Sequence, residues 1–143
     1  MHVGPRGPTN DNTGFDHTRD VGFKLVDGHE LFETGLANTA NSLVSDLQGR
    51  DVYLCFDMDF FDPSCAPGVC TPTWGGASAR EGLGFLQALL GLNVVGADIN
   101  TVSPPHDVGG MTAFLAGTVA LEILTLFCHA KGLITDHGQP ACS

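Results

Sequence analysis

The chain reads as an α/β protein built around a parallel sheet. Three observations predict this. Two apolar runs, Val52–Phe56 and Leu92–Ile99, lack the polar alternation of a half-exposed strand, the pattern of strands in a parallel sheet. Predicted helices precede, separate and follow these runs, the first by helical spacing of its apolar residues. The connections are rich in glycine and proline, with 19 Gly and 8 Pro among 143 residues.

Taken in order, His2–Val3 suits one turn of strand before Gly4-Pro5 breaks it, and Thr9 to Thr18 reads as a polar loop. Val21–Val26 suits a short strand, closed by Asp27-Gly28 as a turn. A helix is predicted from Leu36 to Gln48, with Leu36, Ala40, Leu43, Val44 and Leu47 on one face and Gly49 as its stop. Val52–Phe56 then reads as a strand buried on both faces. A Pro/Gly loop follows from Phe60 to Gly76. Ser78-Ala79-Arg80-Glu81 is a capping box that opens a helix to about Leu90. After the second apolar strand, Ser103–Gly110 is another loop. Met111–Ala130 is apolar nearly all round, with Thr118, Glu122, Thr125 and His129 as a narrow polar stripe, so it is expected to be mostly buried. No repeat or linker divides the chain.

The composition excludes several roles. Net charge is −10, with six basic residues scattered singly, which leaves no footprint for nucleic acid or for an anionic membrane surface. Apolar residues make up 43% and charged ones 15%, too apolar for a disordered tail. The strongest candidate for a membrane span, Met111–Cys128, is short and carries Glu122 near its centre. Met1–Arg6 leads into turn residues, so no signal peptide is expected. Five cysteines without a Cys-x-x-Cys pair read as reduced thiols in a cytoplasmic protein, and a Cys65–Cys70 redox pair is the less favoured alternative.

Ligands of α/β sheets collect at the carboxyl ends of strands. The apolar strand ends in Phe56-Asp57-Met58-Asp59-Phe60-Phe61-Asp62-Pro63. Residues two apart on a strand share a side, so Asp57 and Asp59 aim at one point. Two carboxylates so placed repel, and a hard divalent cation relieves that repulsion. The spacing alone equally suits a pair that caps the following turn. Asp62-Pro63 reads as a turn former.

The longer string tips this balance. Cys55-Phe56-Asp57-Met58-Asp59-Phe60-Phe61-Asp62-Pro63, followed by Thr71-Pro72-Thr73-Trp74-Gly75-Gly76, resembles the signature of the ureohydrolases, the arginase and agmatinase family. The resemblance runs on through Ser78–Gly82, Gly96–Pro105 and the last helix. It implies the three-layer parallel-sheet fold of that family. It also implies hydrolysis of a guanidino group to urea plus ammonia or an amine at a centre of two divalent metal ions, Mn²⁺ by family habit or Ni²⁺ in some members. By this match Asp57 and Asp59 are metal ligands. Full-length members form trimers or hexamers, so a homo-oligomer acting on a small guanidino substrate is implied.

The departures are equally specific. The family's Gly-Gly-Asp-His and Asp-Ala-His-x-Asp motifs, which carry further ligands, do not occur in this chain. No complete catalytic set is therefore expected. Residues 1–143 read as one partial domain, the C-terminal half of a ureohydrolase catalytic domain, inactive alone. An inactive remnant or binding module is the alternative of another class. Thr101 stands where arginases and agmatinases carry a Glu that pairs with the guanidinium. Trp74 can stack on a planar cation. Thr73, Trp74, Thr101 and His106 are the expected substrate-pocket residues. The Thr-Trp and Asn-Thr pairs resemble the guanidine hydrolase branch, with agmatinase or guanidinobutyrase as runner-up. His2 and His17 are expected to be solvated, and His29, His129 and His137 follow no ligand spacing.

Overall fold

The computed structural model describes residues 1–7 and 14–135. Element order is β1 (His2–Val3), α1 (Gly14–Asp20), β2 (Leu25–Val26), α2 (Gly28–Thr34), α3 (Leu36–Asp46), β3 (Asp51–Asp57), α4 (Ala79–Ala88), β4 (Asn93–Asn100) and α5 (Met111–Ala130). Both strand pairs are parallel. β1 pairs with β2 in the register His2↔Leu25, and β3 pairs with β4 from Asp51↔Asn93 to Asp57↔Asn100, with one shift between Val52 and Tyr53. Helices α3, α4 and α5 pack in succession, and α5 lies against β4. The α/β class with parallel pairing is therefore as the sequence predicts.

The predicted helices over α3, α4 and α5 form. The capping box is complete: the Ser78 N–H donates to Glu81 Oε2 at 2.8 Å, and the Glu81 N–H donates to Ser78 Oγ at 3.3 Å. Other expectations fail for local reasons. Residues 14–18 of the supposed polar loop belong to α1, while residues 9–13 lie outside the described part. Only Leu25–Val26 of the Val21–Val26 run is strand, because Val21-Gly22 turns the chain out of α1 with Gly22 at φ +85°. Asp27 does not close a hairpin. Its side chain accepts from the Glu30 N–H at 2.9 Å and caps α2, a helix the sequence reading did not contain.

Two burial expectations also fail. β3 is not covered on both faces: Tyr53 is 64% exposed, and Cys55 and Asp57 are exposed beside it. α5 buries only Thr112, Val119, Ile123 and Leu126, whereas Phe114 and Leu121 are 76% and 66% exposed. Apolar composition says that a face wants cover; it does not say which chain segment covers it. α5 is long and apolar enough to cross a membrane by length and composition. Here its buried stripe joins the core with Leu86, Val94 and Phe56.

That core supports the loop after β3 from behind. Phe56, Phe60, Phe61 and Phe85 meet with ring centroids 5.6–6.0 Å apart. Phe61 is fully buried over Gly82, whose missing side chain makes the space: a Cβ there would collide with the Phe61 ring. Gly84, two residues on, has nothing near it. The same substitution should therefore have opposite signs at the two sites. Gly82→Ala is expected to destabilise the chain by about 1–3 kcal/mol through overpacking. Gly84→Ala should stabilise it by up to about 1 kcal/mol through helix propensity. Chemical denaturation midpoints of the two variants check this, and equal effects would refute the packing assignment.

Candidate functional site

The site forms where β3 ends. Asp57 is the last residue of β3, and Asp59 sits in the 3-10 turn Met58–Phe60 that follows. The strand rule that made both point one way thus applies only to Asp57, since the turn begins before Asp59. The two nevertheless border one cleft of about 780 Å³, together with His2, Arg6, Thr71 and Thr73. Partial burial pushes the Asp57 carboxyl above the usual range, and the charges of Asp59 and Asp98 push it further. His2 and a hydrogen bond from Asn100 offset part of this.

Asp59 is held at three points. Its N–H donates to Thr101 Oγ1 at 3.2 Å, its carbonyl oxygen accepts from Arg6 at 2.6 Å, and its carboxylate accepts from Thr71 Oγ1 at 2.6 Å. Arg6 also donates to the carbonyl oxygens of Phe61 at 3.0 Å and Thr73 at 2.8 Å. One guanidinium therefore ties the turn bearing Asp59 to the loop segment 71–73. Burial lowers the Arg6 pKa, and the nearby charges of Asp59 and Asp62 counter that. Gly76 lies against this knot with no room for a side chain: a Cβ would come 2.6 Å from the Asp62 nitrogen.

Asp62 closes the loop, as its pairing with Pro63 predicts. Oδ1 accepts from the Ser64 N–H at 2.9 Å, and Oδ2 accepts from Gly75 and Gly76 at 2.9 and 3.3 Å. These bonds, those from Ser64 foremost, hold its carboxyl down to about 2.

Thr101 is the one described non-glycine residue with a left-handed backbone, at φ +69°. A β-branched side chain is strained there. The strain places Oγ1 on the Asp59 N–H and lets the Thr101 carbonyl accept from Cys70 at 2.9 Å. Thr101 does not border the cleft. Nor does Trp74, which is 75% exposed on the loop, or His106, whose Nδ1 pairs with Ser103 Oγ at 2.7 Å. Of the six residues singled out from sequence, Asp57, Asp59 and Thr73 come together at the cleft. Thr101 acts on it through Asp59.

Sequence reasoning missed Arg6, Thr71 and His2. His2 lies in β1 and is exposed, as expected, but it also borders the cleft. The signal for Arg6 was an isolated Arg between Pro5 and Gly7, a turn with one cation. His137 lies outside the described residues. The four described cysteines, Cys55, Cys65, Cys70 and Cys128, are free thiols.

A parallel α/β unit with paired carboxylates at a strand's carboxyl end is the architecture of a ligand site. Residues 1–126 match the arginase family, and the chain belongs to that family. It is 35% identical over 130 residues to proclavaminate amidinohydrolase of Streptomyces clavuligerus, covering 91% of this chain and 42% of that protein. It is 38% identical over 109 residues to the agmatinase of Blochmanniella floridana, covering 76% of this chain and 36% of that protein. The solved structure of the Streptomyces enzyme superposes with a TM-score of 0.81 at 36% identity, over 90% of this chain and 42% of the other. Arginase from Bacillus caldovelox superposes with a TM-score of 0.74 at 29% identity, over 87% and 41%. The chain thus spans about two fifths of these relatives, and its architecture is part of the arginase-like fold.

The Asp62 staple sets an acid sensitivity. Its carboxyl is near 3.9 when unfolded and about 2 when folded, so its stabilisation is complete above about pH 4 and lost as pH falls through about 2. Asp62→Asn should lower the urea midpoint at about pH 5, with the gap to wild type closing toward about pH 2. A gap that is constant with pH would overturn the staple.

Proposed function

We propose that this chain contributes the Asp57–Asp59 part of a ureohydrolase active site, which hydrolyses a guanidino C–N bond to urea and ammonia or an amine. The observation that carries this is the pair itself. Two carboxylates stand beside one cleft, at the end of a parallel strand, in a chain of the arginase family. Free guanidine is the proposed substrate. Agmatine and 4-guanidinobutyrate are the runners-up.

The donors fit divalent metal in kind, since hard carboxylate oxygens suit Mn²⁺. They fit it only in part by number. Among the described residues no group of three or more His, Cys, Asp or Glu converges. Asp57 and Asp59 would hold part of a two-metal centre, and the other ligands would come from outside this chain. We therefore take 1–143 as one partial domain of a longer enzyme, inactive alone, cytoplasmic and homo-oligomeric when whole. Divalent metal, when bound, lowers the pKa of water, and a resonance-stabilised guanidinium carbon needs a nucleophile that strong.

The chain's own residues prepare the site. The carboxylates face a cleft whose walls keep bulk water partly away, and like charges there favour a cationic occupant. Arg6, Thr71 and Thr101 hold Asp59 at backbone and side chain, so little reorganisation is needed on binding. Thr73 stands on the cleft wall. Trp74 lies off this cleft on the same loop, and we assign its exposed indole face to the pocket of the whole enzyme, where it can stack on a planar cation; Thr101, just past β4, brings no charge to that guanidinium. Both features favour a small, tailless substrate. His106 lies off this cleft, paired with Ser103, and we assign it to the pocket wall only in the whole enzyme.

Three outcomes test this. The chain alone, loaded with Mn²⁺ or Ni²⁺ and dialysed, should retain little metal, and stoichiometric retention of two ions would contradict the partial site. In the full-length protein, Asp57→Ala should abolish urea release from guanidine, and wild-type turnover would sink the metal assignment. Trp74→Ala there should lower kcat/KM for guanidine relative to agmatine, and an unchanged ratio would refute its pocket role.

A further inference from the structure

The end of β4 carries two polar residues in succession, Asn100 and Thr101, and each reaches a different carboxylate-bearing residue of the cleft. Asn100 is the last residue of β4 and stands opposite Asp57, the last of β3. Residues opposite one another in a parallel pair share a face of the sheet. A hydrogen bond from the Asn100 side chain accordingly reaches the Asp57 carboxylate. The Asn100 amide does not swing freely. It also donates to Asp98 Oδ1 at 2.7 Å and to Cys55 Sγ at 3.3 Å. Asp98 is fixed in turn by the Tyr53 hydroxyl at 2.9 Å. The Tyr53 ring lies against Gly96 of β4, where a Cβ would come 2.7 Å from it. A row of contacts thus crosses the outward face of the β3–β4 pair and ends on Asp57.

Thr101 serves the other carboxylate. On a continuing strand its side chain would turn away from Asn100, to the face of Ile99, which packs on the core. Its φ of +69° breaks that alternation. Oγ1 accepts from the Asp59 N–H at 3.2 Å while the Thr101 carbonyl accepts from Cys70 at 2.9 Å. Asp59 has itself left the strand for a 3-10 turn. Both strands therefore leave regular geometry just past the Asp57–Asn100 pair, and the two departures meet. Strain at a β-branched residue persists only where its surroundings over-determine it, as the bonds to Asp59 and Cys70 do here. Neither Asn100 nor Thr101 borders the cleft.

We propose that Asn100 and Thr101 are paired positioning residues, which set the placement of Asp57 relative to Asp59 from the neighbouring strand and do not touch substrate. The two tasks differ. Asn100 orients a carboxylate side chain, and Thr101 pins a backbone N–H. The pair deepens the function proposed above and rests on that reading only for what the two carboxylates hold.

The first test uses the 143-residue chain with neither metal nor guanidine present. Asn100→Leu keeps the approximate size of the side chain and removes the amide. It should average the three-bond couplings of the Asp57 side chain over rotamers, while Asp59 N–H exchange stays within about twofold of the wild type. Thr101→Gly relieves the backbone and removes the hydroxyl. It should speed exchange of the Asp59 N–H at least about tenfold, with the amides of β3 and β4 protected as in the wild type. Thr101→Ser keeps the hydroxyl and should restore that protection. In the full-length protein, Asn100→Leu and Thr101→Gly should each lower kcat for guanidine about tenfold or more and leave KM within about twofold. The proposal is overturned if the Asp57 rotamer is averaged already in the wild type or stays fixed in Asn100→Leu. It is overturned equally by unchanged Asp59 exchange in Thr101→Gly, or by exchange as fast in Thr101→Ser. Uniform acceleration of all amides would make both residues ordinary fold supports, and a raised KM with unchanged kcat would make them substrate contacts; either result sinks the pair. If the full-length protein releases no urea, the function proposed above fails, and the rotamer and exchange results still decide the pair.

Discussion

Arg6 leaves the end of β1 and donates to the carbonyl oxygens of Asp59, Phe61 and Thr73. These acceptors lie 53 to 67 residues away in sequence. No other described side chain joins the β1–β2 pair to the loop after β3 in this way. A guanidinium suits the task because its donors are rigidly forked, always charged, and able to serve several carbonyls at once. Carbonyl acceptors are appropriate as well. The carbonyls fix the turn without a direct ion pair from Arg6 to either cleft carboxylate, although the Arg6 charge still acts on Asp59.

The remaining constraints act through the same turn. Behind it, four phenylalanine rings pack against each other and Phe61 fills the space left by Gly82. In front, the Asp62 carboxylate gathers the N–H groups of Ser64, Gly75 and Gly76. At the side, Thr101 holds a strained backbone so that its hydroxyl reaches the Asp59 N–H. Strain of this kind persists only where the surroundings over-determine the conformation. A loop rich in proline and glycine is thus made as firm as a strand end, as a site built from loop residues requires.

The other half of the molecule is conspicuous for what it leaves open. β3 has one paired edge among the described residues, the Tyr53 and Cys55 side of the sheet is exposed, and α5 turns Phe114, Leu121 and Leu124 outward. On the open face Tyr53 donates to Asp98 at 2.9 Å, and Asn100 bridges Asp98 and Cys55. On this side of the β3–β4 sheet polar and apolar side chains alike face outward. That agrees with a chain matching about two fifths of its relatives.

The sequence by itself determined the local and the chemical parts of this protein. Helical spacing marked α3, the Ser78–Glu81 box marked the start of α4, and the unalternated runs marked parallel strands. The Asp57–Asp59 string, read with Asp62-Pro63 and Thr71–Gly76, was long enough to indicate the family. Each of these signals is carried by residues close in the chain. What the tertiary structure decided depends on partners far apart. Arg6 became part of the site only because β1 ends beside the turn after β3. Thr101 proved to be a support for Asp59, since a left-handed φ cannot be read from a threonine. The burial of β3 and α5 was overestimated because hydropathy reports what a residue prefers, and whether a covering layer exists is settled by chain segments elsewhere in the fold.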